Sequence, residues 1–388
     1  MRVRTHYFPT SEVEPTQLPT DLDSDRTLVL VFSGLPAAEL ADPVLALRHR
    51  FPRSRIVGCS TAGEVLESTV RDGGICVAVA RFERTTLSVA QAQVRGAGAS
   101  YAAGVELARQ LVAGHGVPSD GGTLAGVLVY SDGLNVNGSQ LLQGLNHGLP
   151  EDVVVTGGLA GDADRFATTW VIADDRPTEG VVVAVGLHGD ALVMGHGSRG
   201  GWDIFGPQRT VTRSHANVVE ELDGEPALDL YERYLGDLAR ALPSSGLLFP
   251  LAISPDPDAE ALVRTMLAVD REARTITFAG DVPQGWTAQL MRADFERLVD
   301  GAALAAAETG AMSQVVGECL AVAISCVGRR LVLKERVEEE LEVAVDGLPD
   351  GAQLVGFYSY GEISPLATGR CDLHNQTMTL TTLAERPE

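Results

Sequence analysis

The heptapeptide GCSTAGE occupies residues 58–64, directly after a short apolar run, and ends in a glycine followed by a carboxylate. Two later segments have the same form, GGLAGD at 157–162 and GFYSYGE at 356–362. Each lies about 30 residues after the glycine that closes the preceding apolar run, which is the length of a β-α-β unit. The spacing predicts three β-α-β-like repeats, of which the first and third are most alike. Chance similarity among glycine-rich turns is the alternative, since the chain contains 42 glycines.

Each of these turns follows two short apolar runs. Near the two runs lies a stretch whose apolar residues have helical spacing. Apolar runs of this length, bounded by turn residues, are typical of strands buried on both faces of a sheet. They predict strands at 28–32, 56–57, 124–130, 153–155, 320–325 and 354–355, and helices at 39–50, 139–148 and 331–346. The predicted fold class is therefore α/β, with two domains of mixed β-sheets flanked by helices and internal βαβ-like pseudo-repeats.

The segment between the second and third repeats has a different pattern. Residues 180–187 and 191–197 predict a hairpin, and residues 216–222, 227–242 and 292–308 predict helices. The terminal segment 376–383 alternates between apolar and polar residues, which is typical of an edge strand. The change of pattern places a domain boundary near residues 200–245.

The charge of the chain excludes two classes of partner. Its 388 residues include 30 Lys and Arg against 52 Asp and Glu, a formal net charge of -22. Nucleic-acid binding needs a basic surface, so we expect no nucleic-acid partner. No apolar stretch approaches the ~20 residues of a membrane span, so we expect no membrane insertion. Five cysteines, an odd number, and an N-terminal segment unlike a signal peptide predict a cytoplasmic protein.

The glycine–acid turns are the first candidate site. Ligands of parallel sheets bind in the crevice beyond the carboxyl ends of the strands, and glycine allows the backbone to approach a ligand closely. Gly63, Glu64, Asp162 and Glu362 would therefore face a ligand, with the carboxylates binding an ammonium or hydroxyl group. The alternative is that each carboxylate caps the following helix.

Two further groups of polar residues adjoin strand ends. Ser131 and Asp132 would form a polar lip, or else a turn, which these residue types favour. Arg329 would bind a ligand carboxylate and lower the pKa of Cys326, or else pair with the acidic run at 338–340. A lowered thiol pKa would make Cys326 a nucleophile, which is the basis of a cysteine-dependent enzyme as an alternative function.

Aromatic, imidazole and amide groups complete the candidate site. Tyr358 and Tyr360 would supply hydrogen bonds and wall area, and His374 and Asn375 would bind a ligand through imidazole and amide groups. Cys371 and His374 form a lone Cys-x-x-His pair, and structural zinc needs four ligands. The chain has no G-x-x-x-x-G-K-[ST], H-E-x-x-H or G-x-S-x-G motif, so we do not expect an enzyme.

Seven segments together carry a resemblance to a known family. They are GCSTAGE (58–64), YSDGL (130–134), GGLAGD (157–162), LDGEPALDLY (222–231), SCVGR (325–329), GFYSYGEI (356–363) and HNQTM (374–378). In this order they resemble the FIST proteins, named for F-box and intracellular signal transduction. The resemblance implies a stand-alone bacterial type with a FIST N-terminal domain at 25–220 and a FIST C-terminal domain at 221–385.

The resemblance implies a sensory module rather than an enzyme. Members of the family are proposed to bind small ligands such as amino acids. We therefore expect a small polar ligand and a signalling partner that is encoded separately. Other members are haem-containing nitric oxide sensors that act on histidine kinases or cyclic-di-GMP enzymes. On that alternative, haem is the cofactor and His374 is the candidate axial ligand.

Overall fold

The computed structural model describes residues 1–14, 17–114, 117, 121–256, 259, 261–310, 318–366 and 369–387. Its strands are β1 (Arg2–Phe8), β2 (Thr27–Ser33), β3 (Arg55–Ser60), β4 (Glu64–Leu66), β5 (Thr69–Arg71), β6 (Ile75–Arg81), β7 (Thr86–Gln93), β8 (Leu124–Ser131), β9 (Val154–Leu159), β10 (Val171–Ala173), β11 (Arg176–Thr178), β12 (Val181–His188), β13 (Leu192–Arg199), β14 (Trp202–Ile204), β15 (Arg209–His215), β16 (Val218–Leu222), β17 (Glu225–Pro226), β18 (Leu251–Ser254), β19 (Leu262–Arg264), β20 (Met266–Asp270), β21 (Thr275–Phe278), β22 (Thr287–Ala293), β23 (Cys319–Cys326), β24 (Ala352–Ser359), β25 (Gly361–Pro365), β26 (Cys371–His374) and β27 (Met378–Glu385). The helices are α1 (Ala37–Arg50), α2 (Ser100–Val112), α3 (Gly138–Gly148), α4 (Ala227–Leu235), α5 (Phe295–Glu308), α6 (Val327–Leu333) and α7 (Val337–Asp346).

Three six-stranded sheets share one plan. Their orders are β1-β6-β2-β3-β10-β11, β7-β12-β8-β9-β25-β26 and β13-β27-β23-β24-β4-β5. In each sheet the two central strands are parallel, and an antiparallel strand lies beside the first of them. The parallel units are the first repeat (β2-α1-β3), the second repeat (β8-α3-β9) and the third repeat (β23-α6-α7-β24).

Hairpins exchanged between the sheets give the molecule pseudo-threefold symmetry. The hairpin that follows each repeat pairs with the second parallel strand of another repeat. Thus β4–β5 joins β24, β10–β11 joins β3, and β25–β26 joins β9. The exchange is cyclic, so the three sheets hold one another in place through backbone hydrogen bonds.

The sheets enclose a shared apolar core because the parallel strands are apolar on both faces. All residues of β2 and β23 are buried. The core brings together side chains of all three repeats, including Phe32, Tyr130 and Phe357. The ring centroid of Phe32 lies 5.7 Å from that of Tyr130 and 4.8 Å from that of Phe357.

One glycine in the second parallel strand of each repeat is required by a close approach of two backbones. A Cβ atom at Gly58, Gly157 or Gly356 would lie 1.8, 1.9 or 1.8 Å, respectively, from a carbonyl oxygen of the partner strand. These distances are far below van der Waals contact, so only glycine fits. The three glycines occupy equivalent positions and fix the alignment of the repeats.

A nine-stranded sheet is inserted between β13 and α5. It runs β19-β18-β22-β15-β16-β21-β20, with β14 beside β22 and β17 beside β16, and it packs on α4 around its own apolar cluster. The protein is thus of mixed α/β class with several mixed sheets flanked by helices, which confirms the predicted fold class. The division at residue 220 stays a prediction.

Several local predictions were wrong. Residues 218–222 form the strand β16 rather than a helix, because the run is short and pairs with β15 and β21. The segment predicted as an edge strand is β27, which lies between β13 and β23 and is buried throughout. The helix predicted at 331–346 is divided into α6 and α7 by a 3-10 turn. None of the helices that the structure describes is long and apolar enough to cross a membrane.

Candidate functional site

The three glycine-rich turns meet around one axis. The backbone N–H four residues after the strand glycine of one repeat donates to the carbonyl oxygen two residues after the strand glycine of another repeat. The three bonds run from Ala62 to Tyr358 (2.8 Å), from Gly161 to Ser60 (3.0 Å) and from Tyr360 to Leu159 (3.2 Å). They form a closed ring, so the carboxyl ends of all three parallel pairs lie at the same end of the molecule.

The ring and the three strand glycines correct the alignment made from sequence. Counting from Gly157, Asp162 is equivalent to Gly63 and Gly361, not to Glu64 and Glu362. The second turn therefore carries its acid one residue earlier than the other two. The repeated glycine–acid pair is a feature of the first and third repeats only.

Glu64 and Glu362 are buried in equivalent turns and are bonded in the same way. The hydroxyl of Thr61 donates to Glu64 Oε1 at 2.7 Å, and the hydroxyl of Ser359 donates to Glu362 Oε1 at 2.6 Å. Burial raises the pKa of Glu64 to about 7 and that of Glu362 to about 8. Both carboxyl groups are fully shielded from solvent, so each is an internal partner of its own turn.

Asp162 lies beside an open crevice. Its carboxylate accepts hydrogen bonds from the hydroxyl of Tyr360 and from the N–H groups of Ala167 and Thr168, the latter two at 2.9 Å. Arg165 is the nearest cation, with its Nε 3.8 Å from Asp162 Oδ2. That distance exceeds a hydrogen bond, so the hydrogen-bond donors that meet Asp162 among the described residues are all neutral.

The crevice has a volume of about 270 Å³ and lies at the carboxyl ends of β2 and β3. We call it the first crevice. Its walls include Ala37, Ser60, Gly161, Asp162 and Arg165. The helix α1 begins at this wall without a side-chain cap, whereas Asn137 caps α3 and Asp294 caps α5.

The equivalent places in the other two repeats are filled by side chains. In the second repeat the ring of Tyr360 packs against Gly133, where a Cβ atom would lie 3.0 Å from the ring. Phe166 stacks on Tyr360, with the two ring centroids 4.5 Å apart. In the third repeat Arg330 covers Gly63, where a Cβ would lie 2.5 Å from its Nη1. Beside Arg330 a more open groove of about 530 Å³ remains, which shares Arg165 with the first crevice.

Arg329 is fully buried in an ion pair with Glu340. This is the alternative that the sequence left open, in which Arg329 pairs with the acidic run at 338–340. Its Nε and Nη2 donate to Glu340 Oε2 at 2.9 and 2.7 Å, and the same guanidinium donates to the carbonyls of Gly200 and Leu298. The other oxygen of Glu340 accepts from the hydroxyl of Tyr358 at 2.6 Å. Arg329 and Tyr358 are thus committed to internal partners, and the burial of Tyr358 raises its pKa.

Cys326 lies next to this cluster, and the shift of its pKa is opposite to the one expected from its arginine neighbours. Burial and the nearby Glu362 raise the pKa of the Cys326 thiol, and they outweigh the guanidinium of Arg329. A thiol with a raised pKa is a poor nucleophile. All five cysteines are buried and free of disulfide bonds.

Ser131 and Asp132 form a tight turn rather than an open lip. Asp132 Oδ1 accepts from the N–H groups of Leu134 and Asn135 at 2.8 and 2.7 Å, and Oδ2 accepts from Gly180 N–H at 2.8 Å. The hydroxyl of Ser131 donates to the carbonyl of Asp132. The carboxylate therefore serves the local backbone, as the turn alternative predicts.

His374, the candidate axial ligand, lies in the β25–β26 hairpin. Its Nε2 lies 3.1 Å from the carbonyl oxygen of Ser364, so this nitrogen is already engaged within the β25–β26 hairpin. Asn375 is fully buried; its side-chain oxygen accepts from Thr265 N–H and its amide donates to the His374 carbonyl. Across the part of the chain that the structure describes, no group of three or more His, Cys, Asp or Glu could hold a metal ion.

Sequence reasoning missed Arg165. This residue lies in the irregular loop between β9 and β10, which has no helical or strand period. Of the twelve residues predicted for the site, only Asp162 lines the first crevice. A basic residue three positions after a glycine–acid pair is the one signal that the sequence offered.

Comparison with known proteins identifies a family. A search of the curated proteins finds no match. Among solved structures, a cyanuric acid hydrolase from A. caulinodans aligns over 100% of this chain and 99% of its own, at 10% identity and a TM-score of 0.37. That likeness is too distant to support an argument about function.

The family models agree with the resemblance seen in the sequence. The FIST N domain matches residues 27–225, and the FIST C domain matches residues 227–365. Together they cover most of the chain. The protein therefore belongs to the FIST family, whose domains are sensors in signal transduction.

Proposed function

We propose that the protein is a sensory module that binds a small polar ligand, with an amino acid as the leading example, in the first crevice. The observation that carries the proposal is an open crevice at the carboxyl ends of β2 and β3 with one acidic and one basic side chain in its walls. Ligands of open parallel sheets bind at this end of the strands.

The size of the crevice supports a compact ligand. Its volume of about 270 Å³ is just below the roughly 300–1,000 Å³ that holds drug-sized molecules. An amino acid suits this space better than a macrocycle does. Haem therefore gains no support here, and it stays an untested alternative.

The placement of charge supports a ligand with two opposite charges. The side chain of Asp162 is 5% exposed and lies within the crevice, whereas that of Arg165 is 58% exposed and lies at its mouth. A cationic group of the ligand would point inward to Asp162, and a carboxylate would point outward to Arg165. This arrangement replaces the predicted roles of Glu64, Glu362 and Arg329, whose partners are internal.

The signal would pass to a separately encoded partner in the cytoplasm. Five free cysteines suit a reducing compartment. Ligand binding would act on the loop that carries Asp162 and Arg165, because this loop links β9 to the hairpin β10–β11 on the sheet of the first repeat.

The test is a calorimetric titration with each of the standard amino acids. We expect at least one of them to bind. Arg165→Gln should lower the affinity for that ligand about tenfold, because the variant loses one charge-assisted contact. Its melting temperature should not change, because Arg165 is exposed. Arg95→Gln is the matched control, an exposed arginine outside the crevice. Absence of binding at millimolar concentration, or equal affinities for the two variants, would contradict the proposal.

A further inference from the structure

We propose that the cationic group received by the first crevice is a guanidinium. This inference rests on the proposed function, because it concerns the same crevice. Its evidence comes from the third repeat, where the chain places a guanidinium of its own at the equivalent position.

Arg330 shows how the scaffold binds that group. Its Nη1 donates to the carbonyl of Ala62 and to Asp72 Oδ1 at 2.8 Å, while Nη2 donates to Asp72 Oδ2 at 2.6 Å. The guanidinium carbon lies 5.7 Å from the ring centroid of Tyr358. The group thus uses a carbonyl of the ring of turns, a bidentate carboxylate and a flat face, all of which suit its planar fork.

The same carbonyl position exists at the first crevice. Ala62 and Gly161 are equivalent, because each lies four residues after the strand glycine of its own repeat. Each also donates its N–H to the residue two positions after the strand glycine of another repeat, Tyr358 and Ser60 respectively. Gly161 lines the first crevice just as Ala62 lines the groove beside Arg330. A guanidinium in the first crevice would therefore meet the Gly161 carbonyl as Arg330 meets that of Ala62.

The first crevice has the acid but lacks the internal cation. Asp162 supplies a buried carboxylate next to Gly161, in the role that Asp72 has beside Ala62. Ala37 and Ser60, which are small, leave the space open. Arg165 does not close it, because its Nε lies 3.8 Å from Asp162 and most of its side chain is in solvent.

The test changes the charge of the ligand while its shape stays nearly the same. Arginine and citrulline differ only in having a guanidinium or a neutral ureido group, and agmatine keeps the guanidinium without the carboxylate. In calorimetric titrations of the full chain we expect arginine to bind at least about tenfold more tightly than citrulline, because citrulline leaves Asp162 without a cationic partner. Agmatine should also bind more tightly than citrulline, and its binding should lack only the contribution of Arg165.

The outcomes separate this inference from the proposed function. Equal affinities for arginine and citrulline would overturn the guanidinium assignment and leave an amino-acid sensor in place. Binding of other amino acids but not arginine would overturn it as well. If no amino acid binds, the proposed function fails first. Asp162→Asn should abolish the preference for arginine while Asp164→Asn, at an exposed neighbouring position, retains it.

Chemical rescue tests the comparison without relying on Asp162, whose replacement could impair folding. Arg330→Ala should open the third repeat and lower the melting temperature. Millimolar methylguanidine should then restore part of the loss, whereas methylurea, its neutral counterpart, should not. Equal effects of the two compounds would overturn the claim that this end of the scaffold selects a guanidinium.

Discussion

The first and third repeats have the same turn but different surroundings. Thr61 bonds Glu64 as Ser359 bonds Glu362, and both carboxyl groups are buried with raised pKa values. Beyond the turns the two repeats differ. In the first repeat no guanidinium of the described residues occupies the crevice beside Asp162, whereas in the third Arg330 occupies the equivalent place and Arg329 is buried in its pair with Glu340.

This difference separates what holds the fold from what faces a ligand. The symmetric features, which are the ring of hydrogen bonds and the strand glycines, are satisfied within the protein and support the fold. The features that break the symmetry decide where the surface is open. Function is therefore expected where the first repeat departs from the third.

Breaking the buried ion pair of the third repeat is expected to have the largest effect. Glu340→Ala leaves the guanidinium of Arg329 buried without a counter-charge, which should lower the free energy of unfolding by about 3–5 kcal/mol. The double variant Arg329→Met, Glu340→Leu should recover much of this loss, because no charge is left unpaired. Urea denaturation of the three proteins measures both effects. A loss below about 1 kcal/mol in the single variant would show that the pair is not part of what holds the third repeat.

Replacing the strand glycines tests whether the repeats are equivalent. Gly58→Ala, Gly157→Ala and Gly356→Ala should each cost about 2–3 kcal/mol, because each new methyl group meets a carbonyl oxygen of the partner strand. Gly98→Ala is the control, since a Cβ there has nothing within 4 Å. Denaturation curves that show a large cost at one glycine and none at the others would contradict the threefold account.

The buried carboxyl groups should make stability depend on pH in a direction fixed by their shifts. Because the folded-state pKa values of about 7 and about 8 exceed the ordinary value of 4.5, the folded chain holds the extra protons. Their contribution is complete below pH 4.5 and is lost as the pH rises through 7 and 8. The free energy of unfolding should therefore fall by up to about 1.4 kcal/mol per pH unit for each group.

Glu362→Gln provides the measurement for this dependence, since the amide keeps the shape and does not ionise. Its free energy of unfolding should fall less steeply than that of the unmodified protein between pH 5 and pH 8, so that the variant gains relative stability in base. Glu12→Gln, at an exposed position, should follow the unmodified protein. Parallel curves for Glu362→Gln and Glu12→Gln would contradict the burial of an ionisable group at 362.

The sequence was sufficient to predict the repeats because their signal is local. Short apolar runs with a glycine at a fixed place report strands buried on both faces, and these strands lie where they were predicted. The hydrogen bond between Thr61 and Glu64 joins residues three positions apart, so it too is a local feature of the turn. What the sequence could not show is that three turns from distant parts of the chain close into one ring, because the hairpin exchange is a long-range event.

Three errors have physical causes that no local pattern shows. Asp162 was aligned with Glu64 because the glycines of the second turn can be matched to those of the other turns in two ways, one residue apart. Only the backbone hydrogen bonds decide between the two alignments. The strand β27 was predicted as an edge because its apolar and polar residues alternate. Several of its threonines are buried, and the hydroxyl of Thr379 lies 3.0 Å from that of Ser198 in β13. Arg165 was overlooked because its loop has no regular period.

A crystal structure of the protein soaked with arginine would locate the bound ligand. We expect its guanidinium in the first crevice, between the carbonyl of Gly161 and the carboxylate of Asp162, with the ligand carboxylate directed toward Arg165. Electron density for arginine at any other place, with the first crevice unchanged, would contradict the claim that function lies where the first repeat departs from the third.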